Sequence, residues 1–348
     1  MVFLSALAKV VPVFLLILLG IALRRLHFVR PETVDDLTKL VVNVTLPAAL
    51  FLAFSQVTVE PQYLLIAVIM ASACLAALLA ARVLNRPLGI NSPYMPSLVT
   101  GFEAGMMGYA IYAAVYGQAN IYKFGIVDLG QVLFVFFVLV PGLERLATGQ
   151  RPFRDTVLGF LKTPVILAIL GGLIAKQLGL MSLAERNPLT NSVLETLRLL
   201  GGMTTPLVAL VIGYGLQLRA GALGKPARTI TARLLIWIPF GLALAFLVVG
   251  RLLGLDPEFQ AAVMTMVILP PPFVIPLFMR SAGEENINYV LNSLTLATLI
   301  TLVLYPLVPV VFSPGSPQDC ELIRVTYDEA GRVLEGEANV SVHLWRGT

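Results

Sequence analysis

Residues 11–28, VPVFLLILLGIALRRLHF, and residues 163–180, TPVILAILGGLIAKQLGL, read as two copies of one segment. Setting Pro12 against Pro164 aligns them without a gap and at an offset of 152 residues. The alignment keeps Val13/Val165, Leu15/Leu167, Ile17/Ile169, Leu18/Leu170, Gly20/Gly172, a base at Arg24/Lys176, and Leu26/Leu178. Each copy is apolar for about the ~20 residues that a ~30 Å hydrocarbon core demands. A repeat of membrane-length segments points to the two-repeat plan of secondary carriers, whose solute site sits where the repeats meet.

The composition fits a membrane chain. It is 57% hydrophobic and 13% charged, with mean hydropathy +0.86, whereas soluble domains carry roughly 25% charged residues. Ten apolar spans follow one another at 2–23, 34–54, 61–84, 96–117, 121–142, 157–178, 193–214, 229–253, 258–279 and 286–311. The expected fold is therefore an all-α polytopic membrane protein of ten transmembrane helices. Residues 1–142 form a first five-helix repeat, 143–156 a cytoplasmic loop, 157–312 the second repeat, and 313–348 an extracytoplasmic tail.

Net charge is +4, but the bases stand at span ends and form no nucleic-acid patch. Fifteen of the 24 bases, Arg233 among them, fall on the side reached after the first span. The positive-inside rule makes that side cytoplasmic and both termini extracytoplasmic. Five spans per repeat is an odd number, so the second copy enters the membrane upside down and the repeat is inverted. Arg24-Arg25 follow the first apolar run and no small-residue cleavage site is evident, so the segment reads as a retained span. Cys74 and Cys320 suggest neither a disulfide framework nor a metal site. His27 and His343 lie at a span end and in the tail. No Walker loop, GxGxxG turn, HExxH helix or nucleophile elbow is present, so the chain reads as no enzyme, with no cofactor.

The spans break in matched places. In the second, Asn43-Val44-Thr45-Leu46-Pro47 puts a proline mid-membrane and frees the carbonyl of Asn43. In the seventh, Gly202-Met203-Thr204-Thr205-Pro206 does the same for Gly202, and Thr45 and Thr204 each stand two residues before the proline. The fourth span carries Thr100-Gly101-Phe102-Glu103-Ala104-Gly105-Met106-Met107-Gly108, and the ninth carries Pro270-Pro271-Pro272 and then Pro276. Three successive residues without N–H force an extended piece within the membrane. Interruptions at corresponding places in two halves mark a transporter's binding site. Only Glu103 and Asp128 are acids well inside the spans. An ionised carboxylate at that depth costs at least ~2.5–3.5 kcal/mol unless it meets a cavity, a cation or a proton. Glu103 is the leading coupling residue, with a structural role bonding unwound backbone as the alternative. Asp128 is balanced between a structural and a functional role.

These motifs resemble the auxin efflux carrier family over about residues 1–312. The resemblance rests on Asn43 with Thr45-Leu46-Pro47-Ala48-Ala49-Leu50-Phe51, on the fourth-span glycines, on Thr204-Thr205-Pro206-Leu207-Val208-Ala209-Leu210, and on Pro270–Pro272. It implies that broken helices four and nine cross, and that a transport domain moves against a scaffold of the first, second, sixth and seventh spans. It further implies a homodimer and a small organic solute, an organic acid or auxin-like anion. The family's fourth-helix motif resembles Asn-Thr-Gly-x-x-Gly-x-Pro. Here Glu103 stands where the Asn is expected and Ala110 where the Pro is expected, so this half of the crossing bends through glycine. Glu103 would repel an anion unless one of them is protonated or a cation bridges them.

The expectation is a secondary carrier by alternating access, with H⁺ the coupling ion through Glu103 and the lipid bilayer its surroundings. Asn43, Thr45, Pro47, Gly105, Gly108, Thr204, Thr205, Pro206, Pro270, Pro271, Pro272 and Asp128 complete the candidate site. A sodium-coupled symporter of the bile acid type shares the plan, but wants more side-chain oxygens around the crossing. A ligand-binding sensor without transport is the alternative from another class. In the tail, alternation in Leu322–Tyr327 and Val340–Leu344 around the turn at Asp328–Gly331 points to a small β-hairpin, with disorder the competing reading because two strands alone are marginal in water.

Overall fold

The computed structural model describes residues 2–57, 60–147, 158–186, 188–216, 223–279 and 282–312. Every described element is helical. In chain order they are α1 (Val2–Arg25), α2 (Pro31–Phe54), α3 (Pro61–Leu84), α4 (Met95–Tyr116) and α5 (Gln118–Ala147). After a short stretch at 158–161 come α6 (Pro164–Gln177), a connecting helix Leu180–Arg186, α7 (Pro188–Gly215), α8 (Gly224–Leu252), α9 (Pro257–Ile268) and α10 (Glu284–Val311). Seven of them, α2, α3, α4, α5, α7, α8 and α10, are long and apolar enough to cross a bilayer. The tail expected to form a hairpin lies outside the described residues.

Prolines set several boundaries. Pro31, Pro61, Pro164, Pro188 and Pro257 each open a helix, where the missing N–H is one that no turn would have satisfied. Pro164 makes the sixth helix shorter than its apolar run. Thr163 is extended, with φ −65° and ψ 128°, as the residue before a proline prefers to be. The ninth span likewise stops early: α9 ends at Ile268, Leu269 is extended at ψ 153°, and only a 3₁₀ turn, Ile275–Phe278, comes after the proline run. In α4 the first arm ends at Val99, and helical structure resumes as a π turn at Ala104–Gly108. Gly101 sits between the arms at φ +69°, a conformation that other residues adopt at a cost.

The helices pack in two groups. In one, α1 lies on α7, α6 lies on the second half of α2, and α7 also meets α2. In the other, α3 packs on α5, α5 on α9, and α8 on α10 and on the first arms of α4 and α9. The second arm of α4 also touches α1 and α7, joining the groups. Lipid tails are as apolar as leucine, so such helices gain little from burying apolar faces and associate by close approach through small residues. A Cβ at Gly20 would stand 2.3 Å from the Leu210 carbonyl oxygen, and one at Gly213 2.0 Å from that of Ile17. On α6, a Cβ at Gly172 would stand 2.6 Å from the Phe51 oxygen. Gly20 and Gly172, paired by the repeat, each seat their helix on the proline-kinked helix of the other half. Leu15, Leu18, Leu167 and Leu170 face outward from the same helices.

The close approach has a measurable consequence. Gly213→Ala must push α1 off α7 and should lower stability by about 1–3 kcal/mol. Gly142→Ala, whose added Cβ meets nothing within 4 Å, should change it by less than ~0.5 kcal/mol. Thermal unfolding in detergent measures both, and equal unfolding temperatures for the two variants would refute this packing.

Candidate solute-binding site

The two helix interruptions touch. The Glu103 backbone N–H donates to the Pro270 carbonyl at 2.9 Å. The Glu103 carboxylate accepts from the Met106 N–H at 3.0 Å through Oε1 and from the Phe273 N–H through Oε2. One side chain therefore takes a donor on the far side of each break. Negative charge at helix N-terminal turns is also favoured by the peptide dipoles. Glu103 is buried, 8% exposed, and it borders the main cavity.

The opposite polarity is handled by a residue whose place in the sequence suggested only a cytoplasmic flank. Arg233 is 1% exposed. Its Nη1 donates to Leu98 O at 3.2 Å and Val99 O at 2.9 Å, and its Nη2 to Gly101 O at 2.7 Å and Leu269 O at 3.0 Å. Trp237, one turn further on α8, adds a bond from Nε1 to Val99 O at 2.7 Å. Thr301 donates to Ile268 O at the end of α9. The physical need is plain. Three prolines in a row supply no N–H for the carbonyls that end α9, the extended chain after Val99 supplies none for the first arm of α4, and an unpaired carbonyl in hydrocarbon costs several kcal/mol. Arg233 lies only one turn inside its span and so looked like an end anchor. Its signal was the Trp at i+4, which puts two donors on one helix face.

A second unpredicted residue supports α4. Gln131 donates from Nε2 to Phe102 O at 3.2 Å, and its Oε1 accepts from Phe102 N–H at 3.3 Å. It also donates to Asp128 Oδ1 at 3.0 Å, while the Tyr109 hydroxyl donates to Asp128 Oδ2 at 2.9 Å. Asp128 is 3% exposed. The Asp128/Gln131 pair at i,i+3 was the available sign, since that spacing places both on one side of a helix.

A cavity of about 960 Å³ adjoins these groups. Glu103, Gly105, Tyr109, Asp128, Gln131 and Pro272 line its inner end. Its walls are otherwise largely apolar, and they include Asp35 and Thr38 at the start of α2, Val140 late in α5, Thr163, and Gly215 at the end of α7. Those residues lie at one face of the bundle, the face the charge pattern assigned to the cytoplasm. At the other face Lys123 is buried, pairing with Asp256 at 2.6 Å and Glu258 at 3.3 Å, and Tyr112 donates to Glu258 O.

The remaining candidates sit apart from the cavity wall. Asn43 is exposed and donates to Lys39 O at 2.8 Å, one turn back. Its stretch, Val41–Thr45, is a π turn ahead of Pro47. Thr45 and Thr204 are buried, and their hydroxyls have no hydrogen-bond partner among the described residues. Thr205 donates to Ala110 O at 3.2 Å, tying α7, beside Pro206, to the second arm of α4. Gly108 is a packing position, since a Cβ there would stand 2.4 Å from Phe124 and 2.7 Å from Leu269. Pro270 and Pro271 are buried behind Pro272 in the break.

The polar frame can be tested without a solute. Gln131→Leu leaves both Phe102 backbone groups unpaired and should destabilise by about 1–3 kcal/mol per group. Asn43→Ala loses one exposed bond and should cost less than ~1 kcal/mol. Detergent unfolding temperatures in that order are expected, and the reverse order would show that Gln131 is not a frame residue.

Comparison with known proteins agrees with the membrane architecture over less than half of the chain. The family described as "Membrane transport protein" matches residues 5–153, from α1 through α5 and a few residues beyond it. It is the family whose motifs the second and fourth spans resemble. The comparison with curated proteins returned no match. The chain is an integral, multi-pass membrane protein, and over its first five helices it is similar to the membrane transport protein family, which includes the auxin efflux carriers.

Proposed function

We propose that the chain is a secondary active carrier of a small organic solute, working by alternating access and coupled to protons through Glu103. The observation that carries this reading is the cavity whose inner end is the point of contact between two helix breaks. A solute seated there meets Glu103, Asp128 and the backbone of Gly105 and Pro272 beneath mainly apolar walls. That chemistry suits a molecule with an apolar body and one polar end. An organic acid enters with the proton that Glu103 takes up, which removes the repulsion between two carboxylates.

In this reading residues 1–142 and 157–312 are two inverted five-helix repeats, and α4 and α9 are the crossover helices. The matched seats of Gly20 on α7 and Gly172 on α2 support that symmetry. The group of α1, α2, α6 and α7 is the scaffold, and the remaining helices move against it. Thr205 to Ala110 is one of the few polar links between the groups and must be exchanged in the motion. The cavity is reached from the face of the basic loops, so the conformation is inward-facing, with both termini extracytoplasmic. A homodimer through the scaffold matches the outward Leu15, Leu18, Leu167 and Leu170.

Reconstituted vesicles test the coupling. A panel of radiolabelled organic acids, auxin among them, should show uptake driven by a pH gradient for at least one member. Glu103→Gln should abolish the gradient-driven component and keep solute exchange at equal pH. Undiminished gradient-driven uptake by the variant would remove Glu103 from the mechanism, and binding without accumulation of any solute would make the protein a sensor.

A further inference from the structure

Four carbonyl oxygens converge on one buried point at the crossing of the breaks. Leu98, Val99 and Gly101 supply three from α4, and Leu269 supplies one from the end of α9. Carbonyls at the ends of unwound half-helices are the groups that hold a coupling cation in broken-helix transporters. The negative ends of the helix dipoles reinforce their preference for positive charge. In this chain the point is filled by the protein itself, because the Arg233 guanidinium occupies it with bonds of 2.7–3.2 Å.

The surroundings of Arg233 strengthen the comparison with a bound ion. Among the described residues no carboxylate pairs with it. Its charge rests on main-chain oxygens and on the Phe102 ring, 4.7 Å from the guanidinium carbon. A buried arginine ordinarily takes a carboxylate partner, since leaving a charge uncompensated costs several kcal/mol. Here the partial charges of two helix ends take that place, as they would for a metal ion. Two arms of the chain, separated by more than 160 residues of sequence, are held by one cation in either case.

We propose that Arg233 is a tethered replacement for a coupling cation, so that this chain binds no sodium at its crossover and works without an alkali-cation gradient. The inference deepens the carrier reading and rests on it for its meaning in transport. A guanidinium on α8 cannot leave with the solute, so the ring of carbonyls is permanently neutralised. Proton exchange at Glu103 is left as the coupling step. The proposal also explains why the fourth and ninth spans hold so few side-chain oxygens near the crossing, for none is needed to complete a metal's coordination shell.

The test uses the purified full-length chain in detergent with no solute present. Its unfolding temperature is followed while sodium chloride replaces choline chloride at constant ionic strength. The wild type should show no saturable shift. Arg233→Gln should unfold at a lower temperature in choline and regain stability saturably with sodium, as the ion enters the vacated ring. A saturable sodium shift in the wild type would overturn the proposal, as would a folded Arg233→Gln indifferent to sodium. Should that variant not be recovered folded, the wild-type titration decides alone, with insensitivity in favour and a shift against. Failure of solute flux would sink the carrier reading without altering this result.

Discussion

A hydrocarbon interior offers no partner to an exposed peptide group, and this structure places two unwound segments in it. The arrangement where the two breaks touch is the consequence of satisfying those groups. Helix ends come in two polarities, and the chain meets each with one charged side chain. Arg233 collects the carbonyls that end the first arms of α4 and α9. Glu103 collects N–H groups on the far side of each break, those of Met106 and Phe273. The residual groups of Phe102 go to Gln131, and that of Ile268 goes to Thr301. The interruption is thus a built feature whose named groups have partners within the protein, and it persists because protein surrounds it.

The same segment forms the end wall of a cavity, and that coincidence links stability to function. Continuous helices would have presented only side chains to a solute there. Broken ones present a carboxylate and accessible backbone, near Asp128 and under apolar walls. The opposite face is held differently, by Lys123 between Asp256 and Glu258 with aromatic rings of Tyr122 and Phe259 about 6 Å from its ammonium. The seats of α1 on α7 and α6 on α2 rest instead on glycine-to-backbone contact, with Arg24 adding bonds to the Tyr214 and Leu216 carbonyls at the end of α7.

Much of this was legible from residue chemistry alone. A triple proline cannot be helical, and a glycine-rich stretch with a carboxylate at the same depth cannot be ordinary lipid-facing helix. The breaks in α4 and α9 and the importance of Glu103 were therefore implied by covalent structure. Arg233 is hidden from such reasoning because hydropathy reports depth alone, and a base four residues into an apolar run looks the same whether it reaches outward to headgroups or inward to carbonyls. Gln131 was missed because a neutral amide barely changes an apolar average. Asn43 attracted attention beside Pro47, yet its amide turns back to its own helix. The repeat showed Gly20 and Gly172 as equivalents, but only three-dimensional packing reveals the backbones against which they lie.

The proposed carrier cycle requires the cavity beside the helix breaks to open to each side of the membrane in turn. Met106, on its wall, offers a direct probe as a single cysteine, Met106→Cys, in a chain with Cys74→Ala and Cys320→Ser. A membrane-impermeant maleimide applied to each face of oriented vesicles then reports access. Alternating access predicts labelling from both faces, with the balance shifted by the pH gradient or by a transported solute. Labelling from one face alone under every gradient and solute condition would contradict it.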